Sequence, residues 1–277
     1  MKVGAHVSIA GGIFNAPSNA AAEGCECFQM FTRSPRGGPV QALDKTIIGQ
    51  FKDNCKKYNI ASAYIHAPYY INFASAKSRI RHGSATVIRE ELERGSALGV
   101  KALMTHLGSA KDVGPNQAVQ MVIKGLQTAL SGYSGSTQFL LENAAGAGQI
   151  IGAPFEDLAT IIKGLGKHDV GICLDTCHAF ATGYDLRSKA AVDRTLKLFD
   201  KVIGLSKLKL IHANDSQGEI KSNKDRHEHI GYGKIGKEGF KALINHPRLK
   251  NVDFILETPM DGKRVNDINK LRGFRKK

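Results

Sequence analysis

Residues 170–176 read "VGICLDT", a short run of apolar and β-branched side chains that ends in a carboxylate and a hydroxyl. Such a run, bounded by turn residues, is typical of a buried β-strand. Runs of this kind occur at residues 2–8, 25–32, 61–68, 102–108, 137–143, 170–176, 208–215 and 252–258. The sequence therefore predicts eight short strands.

Segments with helical periodicity lie between the strands, for example at 44–59, 187–205 and 237–246. This alternation predicts a parallel sheet covered by helices, because a parallel strand pair needs a crossover connection and buries both of its faces. Eight repeats favour a single α/β domain over residues 1–277, folded as a (β/α)8 TIM barrel. A doubly wound open sheet is the main alternative, but "GAHVSIAGG" (4–12) lacks the GxGxxG spacing that usually follows its first strand.

The composition is that of a globular chain with ample material for a core, since 42% of its 277 residues are hydrophobic. No stretch approaches the roughly 18 to 20 apolar residues of a membrane helix, and the N-terminus lacks the pattern of a secretion signal. The five cysteines are scattered and odd in number, which argues against a disulfide framework. We expect a monomer of a reducing, intracellular compartment, neither secreted nor membrane-bound, in which Cys173 and Cys177 are buried thiols rather than zinc ligands.

The charge balance favours an anionic partner. Lys and Arg number 39 against 25 Asp and Glu, which gives a formal net charge of +14. Nucleic acid is the commonest partner of such a chain, although a generally basic proteome would produce the same balance.

Ionisable side chains recur where the predicted strands end. The residues at these positions are His6, Gln29, His66, His106, Glu142, Asp175, His212 and Glu257. Because the strands of a barrel point their C-terminal ends at one face, these side chains should meet in a shallow bowl. Carboxylates crowded in this way repel one another unless cations lie between them, which indicates divalent metals.

Two loops add further candidates to the bowl. His178 follows Asp175 by about one helical turn in "DTCHAF" (175–180), and Asp225 and His227 lie on one face of an extended segment in "DRHEH" (225–229). Any single histidine here is more often a hydrogen-bonded core or rim residue than a ligand. The convergence of five histidines and four carboxylates instead predicts a multinuclear metal site.

Mixed imidazole and carboxylate ligands suit zinc or manganese better than magnesium or calcium, which prefer oxygen alone. Two metals about 3.5 to 4 Å apart can activate a shared water and neutralise the attacking and leaving oxygens of a phosphodiester. On a basic barrel, this predicts hydrolysis of a phosphodiester within nucleic acid.

At these residues the sequence resembles the endonuclease IV family of apurinic/apyrimidinic (AP) endonucleases, along nearly the whole chain. The matching segments are "GAHVSIAGG" (4–12), "FTRSPR" (31–36), "HAPYYIN" (66–72), "HLGS" (106–109), "LENAAGAG" (141–148), "DTCHAFATGYDL" (175–186), "HANDS" (212–216), "DRHEHIGYGKIG" (225–236) and "ILETP" (255–259). Their order and spacings are near those of the family.

The resemblance implies three divalent metal ions per chain, zinc or alternatively manganese. By this likeness Glu142 would bridge two metals, with His66 and His106 completing the first site. The second site would be completed by Asp175, His212 and Glu257, and the third would be held by His178, Asp225 and His227. Glu228 and His229 do not fall at ligand positions, and His229 could support the site, contact phosphate or be a plain loop residue.

The implied reaction is hydrolysis of the phosphodiester 5′ to an abasic site in double-stranded DNA, a step of base excision repair. It would leave a 3′-hydroxyl and a 5′-deoxyribose phosphate, with a metal-bound hydroxide as the nucleophile. The family also removes blocks from 3′ ends, acting as a 3′-phosphodiesterase and 3′-phosphatase. DNA with abasic sites or blocked 3′ ends is thus the expected partner.

The resemblance also implies DNA-contacting residues. Arg36 matches an arginine that enters the duplex, and Tyr69 matches a tyrosine that helps to hold the gap open. Tyr70 replaces an aliphatic wedge of the family; the alternative is that both tyrosines are simply rim aromatics. Two rival functions are a divalent-metal sugar isomerase or epimerase on the same barrel and a DNA-binding barrel without catalysis. The basic tail 269–277 is expected to be solvated.

Overall fold

The eight apolar runs form the parallel strands of a closed barrel in a computed structural model, which describes residues 1–276. The barrel strands are β1 (Val3–His6), β2 (Cys27–Met30), β3 (Ala63–His66), β4 (Ala102–Thr105), β5 (Gln138–Glu142), β6 (Val170–Asp175), β7 (Leu208–His212) and β10 (Asp253–Leu256). A short antiparallel pair, β8 (Asp215–Ser216) and β9 (His227–Glu228), lies between the last two of them. The predicted (β/α)8 TIM barrel is confirmed.

Helices connect successive strands and cover the barrel. They are α1 (Ala16–Ala22), α2 (Lys45–Lys57), α3 (Ser78–Leu98), α4 (Pro115–Leu130), α5 (Phe155–Gly164), α6 (Thr176–Thr182), α7 (Lys189–Val202), α8 (Gly236–Ile244) and α9 (Arg264–Phe274). The helices predicted at 44–59, 187–205 and 237–246 correspond to α2, α7 and α8 with boundaries shifted by a few residues.

The barrel closes because β1 pairs with both its sequence neighbour and the distant β10. Gly4 lies opposite Cys27 on β2 and opposite Ile255 on β10. A Cβ atom at Gly4 would lie 1.6 Å from the carbonyl oxygen of Cys27, so the strands approach too closely there for any side chain. Glycine is therefore required where β1 lies beside β2.

Two apolar layers follow from the period-2 alternation of the strands. One set of side chains packs between strands and helices, and it includes Phe28, Ile65 and Leu141. The other set forms a separate cluster within the barrel, and its members are Cys27, Tyr64, Ala102, Met104, Leu140, Cys173, Leu210 and Ile255. This inner cluster determines which strand residues can reach the bowl.

The C-terminal segment is packed rather than solvated, which corrects the expectation for the basic tail. Ile268 and Leu271 on α9 are fully buried, and Arg275 forms an ion pair with Glu26. Lys277 lies outside the described residues. Among residues 1–276 no helix has both the length and the apolar character needed to cross a membrane.

The cysteines are free thiols, four of them buried. Burial raises the pKa of Cys173 and of Cys177 to about 12, which keeps both thiols protonated at neutral pH. This agrees with their interpretation as buried thiols, because the thiolate is the form that binds metals.

Candidate metal centre

Six of the predicted site residues share one position in the barrel, just above the inner apolar cluster. Each of the six follows a member of that cluster by two residues. They are His66, His106, Glu142, Asp175, His212 and Glu257. Because side chains alternate along a strand, this spacing turns all six toward the barrel axis at the C-terminal end. His106 and Glu257 lie one residue beyond β4 and β10, where the alternation continues.

Glu142 lies at the centre of the group and is fully buried. Its Oε2 atom is 3.0 Å from Nε2 of His66 and 3.7 Å from Nε2 of His106. Its Oε1 atom is 3.0 Å from Nδ1 of His212 and 3.6 Å from Nδ1 of His178. The two carboxylate oxygens thus face different imidazoles, the geometry required for one carboxylate to bind two cations.

A second group surrounds His212 on the other side of Glu142. Nδ1 of His212 is 3.3 Å from Oε2 of Glu257 and 3.9 Å from Oδ2 of Asp175. The nearest ligand atoms of these three residues and Glu142 all lie within 4.8 Å of one another. The group could therefore hold a metal ion.

The third group comes from α6 and from a loop that is distant in sequence. Oδ1 of Asp225 lies between Nε2 of His178, at 3.2 Å, and Nε2 of His227, at 3.3 Å. Nε2 of His227 is buried without a hydrogen-bond partner, although it faces both Asp225 and Asp175, the latter at 3.7 Å. A ring nitrogen held among carboxylates in this way suits a cation. All nine candidate residues thus come together at one end of the barrel.

The electrostatics of the third group also favour a cation. Burial acts to lower the pKa of His178, but the charges of Asp175, Asp225 and Glu142 outweigh it and raise that pKa to about 10. The pKa of His227 is likewise raised to about 9, because Asp175 and Asp225 outweigh the effect of burial. Protons on these imidazoles therefore balance the buried carboxylates, a role that metal cations would take over.

Gln29, a strand-end residue with no role assigned from the sequence, orients His212. Its Nε2 donates to Oε1 of Glu257 at 2.6 Å, since a carboxylate can only accept. Its Oε1 therefore faces Nε2 of His212, at 2.7 Å, and that nitrogen donates. Nδ1 of His212 is left as the nitrogen available to a cation.

Asp215 organises segment 231–236, which follows Asp225 and His227 in the chain. Its buried carboxylate accepts hydrogen bonds from the backbone N–H groups of Ser216, Gly231, Gly233, Ile235 and Gly236, at 2.9 to 3.3 Å. At Gly233 a Cβ atom would lie 2.5 Å from the carbonyl oxygen of Ser216. Segment 231–236 thus wraps closely around one carboxylate. The motif "HANDS" contained this residue, but its spacing gave no sign of the role.

His229 points away from the metal cluster. Its Nδ1 is 2.6 Å from Oδ2 of Asp267 on α9, and its Nε2 is 3.3 Å from Oδ1 of Asp261. The backbone N–H of Ile230 donates to the same Asp267. His229 therefore joins the loop to the C-terminal helix.

The three predicted DNA-contacting residues lie on the rim of the bowl and not in the cluster. Tyr69 and Tyr70 are 68% and 41% exposed and follow β3, and Tyr69 packs edge-on against Phe31 at 5.2 Å. Arg36 is exposed on the loop after β2, and the Cβ position of the adjacent Gly37 is 3.9 Å from the ring of Tyr70. The two loops thus meet beside a cavity of about 550 Å³ that extends to the cluster.

Known proteins with similar sequences share this architecture over their whole length. The family described as xylose isomerase-like TIM barrel matches residues 17–277. A protein named probable endonuclease 4 from Halothermothrix orenii is 40% identical over 269 residues, covering 97% of each chain. Another of that name from Methanoculleus marisnigri is 41% identical over 274 residues, covering 98% of this chain and 97% of its own.

Solved structures with the same barrel fold differ in how similar their sequences are to this chain. Endonuclease IV from Thermus thermophilus superposes with a TM-score of 0.88 at 33% identity, covering 99% of this chain and 98% of its own. A D-tagatose 3-epimerase-like protein gives a TM-score of 0.73 at 19% identity, with coverage of 99% and 97%, a likeness of fold alone. With full-length relatives at this level of identity, the chain belongs to the endonuclease IV family of AP endonucleases.

Proposed function

We propose that this chain hydrolyses the phosphodiester on the 5′ side of abasic sites in double-stranded DNA, leaving a 3′-hydroxyl and a 5′-deoxyribose phosphate. The observation that carries the proposal is the convergence of five imidazoles and four carboxylates, with Glu142 at the centre, in a chain of the endonuclease IV family. We further propose that it removes phosphates and phosphoglycolates from blocked 3′ ends.

The proposed cofactors are three divalent metal ions, zinc or alternatively manganese. The first would be held by His66, His106 and Glu142. The second would share Glu142 and be completed by Asp175, His212 and Glu257, and the third would be held by His178, Asp225 and His227. The mixture of imidazole and carboxylate donors supports zinc. When bound, the ions supply a nucleophile at neutral pH and offset the charge that develops on the phosphodiester.

The protein's own part is to hold these groups without rearrangement during the reaction. Glu142 is buried and is contacted through both oxygens, so it can bridge two ions. Gln29 keeps His212 in one orientation, and Asp215 fixes segment 231–236 directly after the strand of His227. These contacts support a rigid and preorganised site.

Basic residues next to the cluster would hold the phosphate backbone. A groove of about 750 Å³ adjoins Asp225 and is lined in part by Lys224, Arg226 and Lys234. All three are exposed, and Lys221 lies exposed on the same loop. Phosphate contacts of this kind supply most of the affinity for DNA irrespective of sequence.

Recognition of the lesion is assigned to Arg36, Tyr69 and Tyr70. A duplex must bend and extrude the abasic nucleotide to reach a buried site, a step made easier by the missing base. The exposure of these side chains on the two loops that border the cavity supports this role. Gly37 and Gly38 follow Arg36 where well-known members of the family carry bulkier residues, so the loop would fill the gap in the duplex differently.

The test is incubation with a duplex that contains one tetrahydrofuran abasic analogue, with and without chelator. We expect a single cut on the 5′ side of the analogue, its loss with chelator, and about three metal ions per chain by elemental analysis. One metal ion per chain with turnover of a ketose would instead indicate an epimerase. Tight binding without cutting by the metal-loaded protein would indicate a DNA-binding barrel.

We also propose that the protein acts as a monomer in a reducing intracellular compartment. One chain supplies all nine candidate ligands, and its five cysteines are free. Sedimentation at a single subunit mass would support the monomer.

A further inference from the structure

The recognition loop, defined here as residues 33–43 between β2 and α2, carries Arg36 but has little internal structure to hold it. Residues 38–42 are exposed, and Gly37 and Gly38 lie at φ +95° and +109°. A backbone hydrogen bond within the loop joins the N–H of Gly37 to the carbonyl of Ser34, at 3.1 Å. The shape of this loop must therefore be set by what lies beneath it.

A carboxylate of α3 lies beneath the start of the loop. Glu91 is fully buried; its Oε1 accepts from Nε of Arg33 at 2.5 Å and its Oε2 accepts from Oγ1 of Thr32 at 2.6 Å. Nη2 of Arg33 also donates to Glu90, at 2.8 Å. A buried charge is costly unless it is paired and hydrogen-bonded, and here the Glu91 carboxylate and the Arg33 guanidinium are both paired and hydrogen-bonded.

Arg94, one turn further along α3, joins the two arms of the loop. Its Nη2 donates to the carbonyl of Thr32 and its Nη1 to the carbonyl of Gln41, each at 2.9 Å. Its Nε donates to Oγ1 of Thr32, at 2.9 Å, and lies 3.8 Å from Oε1 of Glu91. One guanidinium thus fixes the separation between the beginning and the end of the loop.

We propose that this cluster of Thr32, Arg33, Glu90, Glu91 and Arg94 sets the conformation of the recognition loop before DNA binds, and thereby the affinity for abasic DNA. The inference rests on the proposed function of Arg36. Its members are positioning residues, since they act through the loop. A loop that is already ordered loses less conformational entropy on binding, so the cluster should affect KM rather than kcat.

The test uses Arg94→Met, which keeps most of the aliphatic length and removes the guanidinium. The matched control is Arg89→Met on the same helix. Arg89 also donates from Nη1 to two backbone carbonyls, of Ala129 and Ser131 at 3.1 and 2.7 Å, and from Nε to Glu93 at 2.7 Å. These contacts hold the end of α4 rather than the recognition loop.

Two measurements are made on the full-length, metal-loaded proteins. For Arg94→Met we expect KM for the tetrahydrofuran duplex to rise about tenfold, with kcat and metal content within about twofold of wild type. Without DNA, cleavage by trypsin after Arg36 should also accelerate about tenfold, because the loop opens more often. Arg89→Met should leave both values near those of wild type.

An Arg94→Met protein with wild-type KM and wild-type cleavage after Arg36 would overturn the proposal, as would an equal effect of Arg89→Met. The trypsin measurement distinguishes a failure of this proposal from a failure of the proposed function. If the wild-type chain left abasic duplex uncut, the proposed function would fail, while slow cleavage after Arg36 that depended on Arg94 would still support control of the loop by the cluster.

Discussion

At the scale of single residues, Glu142 is the side chain on which most of the candidate site depends. Both of its oxygens contact imidazoles, and it is fully buried. If it bridges two metal ions, loss of one charged oxygen removes a ligand that both ions share. The chemistry should then fail while phosphate contacts on the surface remain.

We therefore expect Glu142→Gln to reduce cleavage of the tetrahydrofuran duplex by about a thousandfold or more, with DNA affinity retained within a few-fold. Cleavage is measured by gel and affinity by fluorescence anisotropy. Glu228→Gln is the matched control, since Glu228 lies next to His227 on β9 but outside the cluster. Near wild-type cleavage by Glu142→Gln would contradict the bridging role.

The raised pKa values of His178 and His227 predict how metal uptake depends on pH. Without metal both imidazoles hold protons at neutral pH. The resulting stabilisation of the metal-free fold is complete below the ordinary histidine pKa of 6.5 and is lost progressively as the pH rises to about 9 to 10. A metal must displace these protons, so its apparent affinity should rise with pH. We expect a rise of roughly tenfold per pH unit for each proton displaced between pH 6 and 8.

Chelator competition at a series of pH values measures this dependence. Asp225→Asn should reduce its slope, because it removes a charge that raises both pKa values. An affinity for zinc that stayed constant from pH 6 to 8 would argue that neither imidazole loses a proton on binding.

The sequence allowed the strand-end residues to be predicted because they stand at the ends of apolar runs, and the strands of a barrel point their C-terminal ends at one face. The roles of Gln29 and Asp215 could not be predicted in this way. Gln29 forms hydrogen bonds with His212 and Glu257, which are distant from it in sequence. Asp215 accepts from backbone N–H groups that come together only when segment 231–236 folds. Neither spacing nor residue type reports such contacts.

At the scale of elements, the recognition loop and the loop after β3 border the same cavity, which Pro35 and Tyr69 line. Arg36 and Tyr70 are the exposed residues that follow them in sequence. These residues are separate from the metal cluster, so their loss should change which DNA is cut more than how fast bonds break.

Arg36→Ala is expected to lower the ratio of kcat/KM for abasic duplex to that for intact duplex by about tenfold, because an arginine that fills the gap contacts only the extruded state. Both rates are measured at the same salt concentration. Arg194→Ala on α7 controls for the loss of one positive charge, since Arg194 is exposed on a covering helix. An unchanged ratio would remove Arg36 from recognition of the lesion.

Segment 231–236, whose backbone N–H groups bond to Asp215, gives a prediction at the same scale. Asp215→Asn replaces one acceptor oxygen by an NH2 group that faces backbone N–H donors. We expect a loss of about 2 to 4 kcal/mol in the free energy of unfolding, measured with urea, and weaker binding of one metal ion out of three. Equal loss of all three ions would indicate general damage rather than damage to this segment.

The helices were predictable from periodicity to within a few residues, but the C-terminal segment was misjudged. Its high charge suggested a solvated tail. The apolar pair Ile268 and Leu271, three residues apart, already gave the spacing of a packed helix. Their burial against the barrel outweighs the surrounding charge.

At the scale of the whole molecule, bound metals should contribute to stability as well as to chemistry. The cluster joins residues from the ends of six barrel strands, from α6 and from the loop of Asp225, and ligands that bind only the folded state stabilise it. Removal of metal with EDTA should lower Tm by about 10 °C or more, measured by calorimetry. EDTA presaturated with zinc is the control, and an unchanged Tm would show that the ions do not bind the fold tightly.

The barrel itself was predictable because alternation of strands and helices, counted to eight, leaves few arrangements of a parallel sheet. The number of strands did not show which two strands would pair to close the barrel. β1 and β10 pair although they lie at opposite ends of the sequence, with Val3, Gly4 and Ala5 opposite Phe254, Ile255 and Leu256.

The same closure has a consequence during synthesis on the ribosome. β10 is the last barrel strand to be translated, and Glu257 follows it directly. A nascent chain that ends after β7 has β2 beside β1 but still lacks β10, the other neighbour of β1, together with Asp225, His227 and Glu257. An interrupted translation product therefore has an open barrel and an incomplete cluster, so the candidate metal centre can be completed only after β10 has been translated.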